Sequence, residues 1–539
     1  MTNSQTPELI GRGFIRKIHE NWPFFVITAA FCVLWLPHVF IINNSLNFIT
    51  AFEADPGGMV DGILRHLSTY NMNGGYYSKY YGWSFFFIAF WVLKPTALVL
   101  KAFHLYSDSL LFCLIRLLNF SICLTSVVAL YLFLKRLFKN IYYAAIGCLF
   151  YIVPAYLAQG GVSFSLGGGM QNYFYFIHPE PTGFLFLFLG LWMLEVFREN
   201  IRADKTGKLY FAGVLFLALA CFAKQPFVFV AVPVYVLYVK QYSKMQNLSL
   251  GTFVSSRAFL VLFLKTIIFC VLLFYIMNPY SFLEPKMFVK NQLRLVRAFG
   301  SGPMTLSIVE AWKQYLHVIG RSLFLCASIL ISLIDITILL LRNRHRQKRD
   351  RYFLVLLISS FPILGIFMTN SRFFISINYL APVIVYLIIG DILLIREVLQ
   401  ISQKRIRTIS LATLCCILAF VFALGGQAVI RYGIDRLKYK ETNFYRVYEY
   451  VKNNIPNGAR VAVSHTVAIP PEKELAVFQW WQEDPDKVAD FNPDFLIYQK
   501  GFSINGVPTK EAKAFDGFVT REGYREVANL ENITVFSRK

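Results

Sequence analysis

Charge is what this chain of 539 residues has least of: Asp, Glu, Lys and Arg together make up only 16% of it. Soluble domains carry roughly 25%, so the soluble globular class is excluded first. No CxxC, HExxH or Walker glycine loop occurs, and the readings as zinc hydrolase or ATP-driven pump therefore lack their minimum chemistry. No internal repeat is visible, which argues against the inverted halves of many secondary transporters. Cysteine is missing from the C-terminal hundred residues. All nine cysteines, at 32, 113, 123, 148, 221, 270, 326, 415 and 416, sit inside apolar stretches, so no disulfide framework is implied and the thiols act as small hydrophobes.

What is present is apolar. Hydrophobic residues reach 56%, aromatics 17%, and the mean hydropathy is +0.51. Apolar stretches fall at about 23–43, 84–100, 110–134, 141–158, 180–197, 209–223, 225–239, 258–278, 321–341, 352–368, 373–395 and 408–429; most approach the ~20 residues a helix needs to cross hydrocarbon. The expected fold is an all-α polytopic membrane protein of about 11–13 transmembrane helices. The first stretch reads as a retained helix rather than a cleaved signal peptide.

The net charge of +22 is unevenly spread. From 430 to 539 there are 16 Lys and Arg against 15 Asp and Glu, leaving 37 against 16 in the residues before. The excess therefore speaks of membrane topology, not of nucleic acid. Basic clusters at 12–17, 135–139, 198–208, 240–257, 342–351 and 396–407 mark cytoplasmic loops by the positive-inside rule. The N-terminus, 1–22, is then cytoplasmic, and the loops at 44–83, 159–179, 279–320 and 369–372 lie outside with the tail. That alternation holds only if 84–100, interrupted by Lys94 and Pro95, is a half-span or pairs with a second short crossing.

The expected division is a transmembrane domain over 23–430, with outer loop 44–83, and a small extracytoplasmic α/β domain over 431–539. In the latter, Phe444–Asn453 has helical spacing, 459–463, 494–498 and 533–536 read as strands, and a helix is expected near 473–483.

Chemistry is expected in the outer loops. The first carries Glu53, Asp55 and Asp61, then a plausible surface helix over 63–70, then a run to Trp83 rich in Asn, Gly and Tyr, including Tyr80, of a composition that suits a sugar-contacting surface. Pro56 pushes Asp55 out of the helical region and sets it in a turn, from which its carboxylate can take a proton from an acceptor hydroxyl; capping of a helix beginning near Met59 is the plainer role. At Tyr175–Thr182, His178 and Glu180 stand two residues apart at the mouth of a span, where capping, orienting a base, binding an acceptor or holding a divalent metal are all open; two ligands are too few to name a metal. Lys224 is a lone charge between two apolar runs and calls for an anionic partner. Arg372, between two spans, and Arg294 and Arg297 in the third outer loop are the other candidates for a lipid phosphate, with interfacial snorkelling as the alternative.

In order along the chain, the acidic first loop, His178-Pro-Glu-Pro, Ala223-Lys-Gln-Pro-Phe, Asn278-Pro-Tyr, Arg372 to Pro382 and an exported α/β tail resemble the GT-C superfamily of integral membrane glycosyltransferases, which includes protein O-mannosyltransferases and the aminoarabinose transferases of lipid A. The resemblance implies inverting transfer of a sugar from a polyprenyl-phosphate donor to a glycan, lipid or protein acceptor on the outer face of a membrane, such as a bacterial inner membrane. It places the catalytic base at Asp55, with Glu53 as rival, the second acid at Glu180, and the phosphate contacts at Lys224 and Arg372. This chain departs from the common pattern in having Glu-x-Asp in the first loop and glutamate at 180. A flippase of lipid-linked sugars, or an O-antigen polymerase or ligase using the arginines of 279–320, are the alternative functions.

Overall fold

The computed structural model describes residues 21–41, 54–74, 78–152, 177–201, 207–301, 306–321, 323–341, 350–370, 381–400, 403–413, 415–416, 419–420, 423, 427, 443–464, 469–470, 473–480, 485–499, 503–504, 507–508, 517–531 and 533–538. It is a largely helical membrane protein with a small C-terminal sheet region. In chain order the helices are α1 (Trp22–Trp35), α2 (Pro37–Ile41), α3 (Ala54–Thr69), α4 (Trp83–Ala102), α5 (Asp108–Phe138), α6 (Ile141–Ile152), α7 (Glu180–Glu199), α8 (Lys208–Ala223), α9 (Phe227–Met245), α10 (Leu250–Val254), α11 (Arg257–Met277), α12 (Tyr280–Leu283), α13 (Pro285–Ser301), α14 (Ile308–Arg321), α15 (Leu323–Leu341), α16 (Asp350–Asn370) and α17 (Ala381–Leu399).

Among the described residues, four helices are long and apolar enough to cross a membrane: α4, α5 from Leu110, α7 and α11. Their surroundings differ. The apolar window of α7 is 78% buried and that of α11 only 11%, so α7 is the centre of the bundle and α11 turns its side chains to lipid. Close helix approach explains why α7 carries glycine. A Cβ at Gly183 would run into the Phe227 ring and one at Gly190 into Leu217, so these two positions let α9 and α8 lie against α7.

Contacts along the bundle set its two ends. At one end Lys135 donates to Asn21 at 2.5 Å and Arg136 pairs with Glu199 at 2.7 Å, bringing together the start of α1 and the ends of α5 and α7. At the other end Glu180 opens α7, α8 closes at Ala223, and Gly82 N–H donates to the Ala223 carbonyl at 2.9 Å. Ser126 of α5 bonds the Tyr151 hydroxyl, Tyr151 meets Phe184 of α7, and Arg136 pairs with Glu199, so α5 runs parallel to α7, with Asp108 toward the Glu180 end. Helix α4 therefore begins and finishes at one and the same end. The continuous 20-residue helix is not broken at Pro95.

Two expectations are corrected. Asp55 does not sit in a turn before a helix beginning near Met59; α3 already starts at Ala54. Proline is tolerated in a first helical turn, where its missing N–H has no partner to lose, and a carboxylate there is favoured by the helix dipole. In the C-terminal region the segment near 473–483 is a strand, β2 (Ala476–Trp480), rather than a helix. Tertiary pairing decides it: β2 lies parallel to β1 (Arg460–Ser464), with Arg460 opposite Ala476.

The remaining C-terminal elements are helix α18 (Asn443–Asn454), α19 (Pro485–Phe491), β3 (Phe495–Gln499), β4 (Ser503–Ile504), β5 (Val507–Pro508), β6 (Tyr524–Leu530) and β7 (Ile533–Arg538). Five strands form one mixed sheet in the order β2-β1-β3-β7-β6, parallel up to β3 and antiparallel after it. Period-two alternation gives it two buried faces: Val461 and Val463 pack with Val447 and Val451 of α18, while Ala462 packs with Val488 of α19.

Candidate functional site

The site grows from a break between two helices. Helix α8 ends at Ala223, Lys224 adopts an extended backbone, and α9 resumes at Phe227. Pro226 as the N-cap of α9 and Phe227 seated over Gly183 hold this turn against the start of α7. Lys224 consequently reaches Glu180, whose Oε1 accepts from its ammonium, while Glu180 Oε2 faces Nδ1 of His178. Glu180 is 1% exposed and His178 8%. A carboxylate so placed requires a partner, and Lys224 supplies the positive charge.

Burial first, and then the neighbouring Lys224 ammonium, hold the His178 pKa well below its ordinary value. The imidazole is neutral, and its contact with a carboxylate puts the proton on Nδ1, leaving the lone pair on Nε2. Chemically this is a carboxylate-oriented imidazole beside a fixed ammonium, able to hold a proton or an anion. It does not suit a metal: the Glu180 carboxylate is already taken by Lys224 and His178, and among the described residues no group of three or more His, Cys, Asp or Glu gathers.

The first and third loops close over the same spot. Lys224 lies over the ring of Tyr81 at 5.4 Å. Gln225 donates to the Tyr80 carbonyl at 2.6 Å, and Gln292 of α13 donates to the carbonyls of Lys79 and Tyr80 at 3.1 and 3.3 Å. Asn73 bonds the Tyr280 carbonyl and Glu284, and Tyr70 reaches the carbonyls at the end of α11. Thus the first loop, the Lys224 turn and the third loop, which are separate in sequence, form one hydrogen-bonded surface. Tyr80 contributes its backbone to this clamp.

Cations gather at its edge. Burial, then the guanidinium groups of Arg294 and Arg65, lower the pKa of Lys79, so α3, α13 and the loop between Ser78 and Gly82 bring three positive groups close together. Along α13, Lys286, Lys290 and Arg294 repeat every four residues and, with Pro285, Val289 and Leu293, line an open groove of about 790 Å³. Beneath the first loop lies His66, 1% exposed, stacked on Tyr70 at 4.6 Å and flanked by Phe86 and Phe90. Burial pushes its pKa down to about 4.

The other expected residues are less closely placed. Asp55 is the second residue of α3 and Arg297 lies on α13, described in backbone only. Glu53 and Arg372 lie outside the described residues. Residues that sequence reasoning missed are Tyr81, Gln225, Gln292 and His66; the Lys-Gln-Pro break between two apolar runs was the available signal for Gln225, and nothing in the sequence pattern marks Gln292.

No family model matches the chain, and no curated protein does. Among solved structures, the chain is similar to an oligosaccharyltransferase of Archaeoglobus fulgidus crystallised with zinc and sulfate, at a TM-score of 0.45 and 11% identity, over 87% of this chain and 67% of that one.

Proposed function

We propose that this protein is a membrane glycosyltransferase that takes a sugar from a polyprenyl-phosphate donor and passes it, with inversion, to an acceptor hydroxyl on the side of the membrane where Glu180 and Lys224 lie. The observation that carries the reading is the buried Lys224–Glu180–His178 cluster lying under a first loop whose acidic start opens α3. In this reading Asp55, with Glu53 as rival, removes the acceptor proton. The acceptor oxygen attacks the anomeric carbon as the bond to the phosphate oxygen breaks on the opposite face, and the lipid phosphate departs with the electron pair.

Lys224, with Arg372 and Arg297, neutralises the charge that develops on that phosphate, where a fixed cation in a water-poor site is most effective. Glu180 holds Lys224 in place between turnovers, and His178 orients Glu180 through Nδ1. The cationic edge at Arg65, Lys79 and Arg294 suits the approach of an anionic lipid. The donor is a lipid and the acceptor a glycan, lipid or protein; no step is routed through a metal. The small C-terminal domain over 431–539 belongs on the same side as the site.

The test is transfer in reconstituted vesicles from radiolabelled polyprenyl-phosphate sugars to membrane-extracted acceptors. Label reaching an acceptor with the wild type and not with Asp55→Asn supports the reading. Label crossing the bilayer on its lipid, equally in both proteins, makes it a transporter instead.

A further inference from the structure

Helix α13 is held along one face. Phe288 packs on Trp83 and Phe274, and Gln292, one turn further, donates to the carbonyls of Lys79 and Tyr80. At about 100° per residue, Lys286, Lys290 and Arg294 fall on a stripe turned away from those contacts, and Val289 and Leu293 fall on a second stripe beside it. All five line the open groove of about 790 Å³ together with Pro285. Val289 is 52% exposed and Leu293 50%. Glu284, the acid just ahead of α13, is turned to the first loop, where Asn73 donates to it. Among the described residues no carboxylate pairs with Lys286, Lys290 or Arg294.

The two stripes ask for different halves of one ligand. Three cations in steps of about 6 Å, four residues at ~1.5 Å each, repel one another and draw an anion. A small soluble anion would leave Val289 and Leu293 in water, and a wholly apolar partner would leave the cations without a counter-charge. An amphiphile with an anionic head meets both needs, as it does on basic amphipathic helices at membrane surfaces. The position agrees. Helix α11 is the span turned to lipid, and past its end Phe282 and Leu283 remain 45% and 66% exposed, so exposed apolar side chains continue from the span to the start of the groove. A volume of about 790 Å³ also lies within the roughly 300–1,000 Å³ of small-molecule sites.

We infer that the exposed face of α13 is a binding site for an anionic phospholipid of the surrounding bilayer, with its phosphate among Lys286, Lys290 and Arg294 and its acyl chains against Val289 and Leu293. The lipid fastens the third loop to the membrane surface and, through Gln292, steadies the clamp over the Glu180 cluster. The inference does not rest on the reaction carried out there.

The experiment uses the full chain in detergent, with phosphatidylglycerol or phosphatidylcholine titrated in and retained lipid counted by native mass spectrometry. One phosphatidylglycerol per chain is expected to be held more tightly than phosphatidylcholine, and to weaken as salt is raised, because exposed charges are screened beyond about 10 Å at 0.1 M. Lys286→Gln combined with Lys290→Gln, both at exposed positions, should weaken that lipid about thirtyfold, equivalent to about 2 kcal/mol at about 1 kcal/mol per basic residue. Lys313→Gln combined with Lys404→Gln removes two exposed cations elsewhere and should leave it bound. A photoreactive benzoylphenylalanine in place of Leu293, with all the lysines intact, should crosslink to phosphatidylglycerol in mixed vesicles. The inference is overturned by equal retention of the two lipids, by wild-type affinity in the Lys286 and Lys290 double variant, by an equal loss in both double variants, or by absence of the crosslink. It is likewise overturned if polyprenyl phosphate displaces phosphatidylglycerol at a lower concentration than phosphatidylglycerol itself, which would make the groove part of a polyprenyl-lipid site.

Discussion

Removing Lys224 should do more than weaken the protein; it should reverse the sign of its pH dependence. In the native cluster Glu180 is 1% exposed at its side chain and Lys224 12%. Breaking a buried pair by deleting one partner typically costs about 3–5 kcal/mol, because the remaining charge is stranded. Unfolding entropy of about 2.1 cal/mol/K per residue, taken over 539 residues, converts that to about 3–4 °C in melting temperature for Lys224→Gln. Lys224→Gln combined with Glu180→Gln strands nothing, so the double variant should melt above Lys224→Gln alone.

The pH dependence is the sharper reading. In the wild type the His178 pKa is lowered by burial and by Lys224, so the unfolded chain binds the extra proton. Stability from this group is complete above the unfolded value near 6.5 and falls as the pH drops below it. Without Lys224, His178 is the remaining group among the described residues that contacts Glu180 and can carry a positive charge, its pKa rises above the unfolded value, and its contribution is complete at low pH and lost as the pH rises through the new value. Melting followed by tryptophan fluorescence at pH 5 to 8 should therefore slope upward with pH near 6 for the wild type and downward for Lys224→Gln. Parallel slopes, or a double variant no better than the single one, would refute the account of Glu180 as a carboxylate neutralised by Lys224.

His66, with its pKa near 4 when folded, should make the wild type lose about 3 kcal/mol between pH 6.5 and 4, at about 1.4 kcal/mol per unit; His66→Phe should flatten that part of the acid melting profile. Gly183→Ala drives a methyl into the Phe227 ring and should destabilise by about 1–3 kcal/mol, with a loss of transfer activity disproportionate to the change in melting temperature because the Lys224 turn moves.

Much of this organisation was legible, for identifiable reasons. Long apolar runs fix helices such as α11, whose residues need no partner to be recognised, period-two alternation marks β1, and short apolar runs between turn residues mark β3 and β7. Lys224 stood out because a lone cation between apolar runs has few ways to be satisfied. What escaped depended on neighbours far off in sequence. The third loop holds α13 because Phe288 packs on Trp83 and Phe274 while Gln292 bonds the first loop, and β2 is a strand because β1 offers it an edge. The start of α3 at Ala54 is hidden in the sequence because Pro56 disfavours a helix at Asp55 in general but is tolerated in a first turn.

The end-to-end placement of α4 is the part of the topology that composition alone gets wrong, and it can be tested directly. A 20-residue apolar helix satisfies every length rule for a crossing, but its start is bonded to Ala223 and its end leads within a few residues to Asp108, and both belong to the Glu180 end. Helix α5 has room for this, since 31 residues at ~1.5 Å each reach about 46 Å, well beyond a hydrocarbon core of ~30 Å. Single cysteines at the exposed positions Thr69, His104, Lys286 and Lys139, placed in a background without the native thiols, should divide three to one. The first three should react with an impermeant maleimide from one side of the membrane and Lys139→Cys only from the other. If His104→Cys labels with Lys139→Cys instead, α4 crosses, α5 must run the opposite way, and the Arg136–Glu199 pair cannot exist as described. Agreement of the first three would leave the loops over the Glu180 cluster on one face, as a site served by lipid from the side and acceptor from above requires.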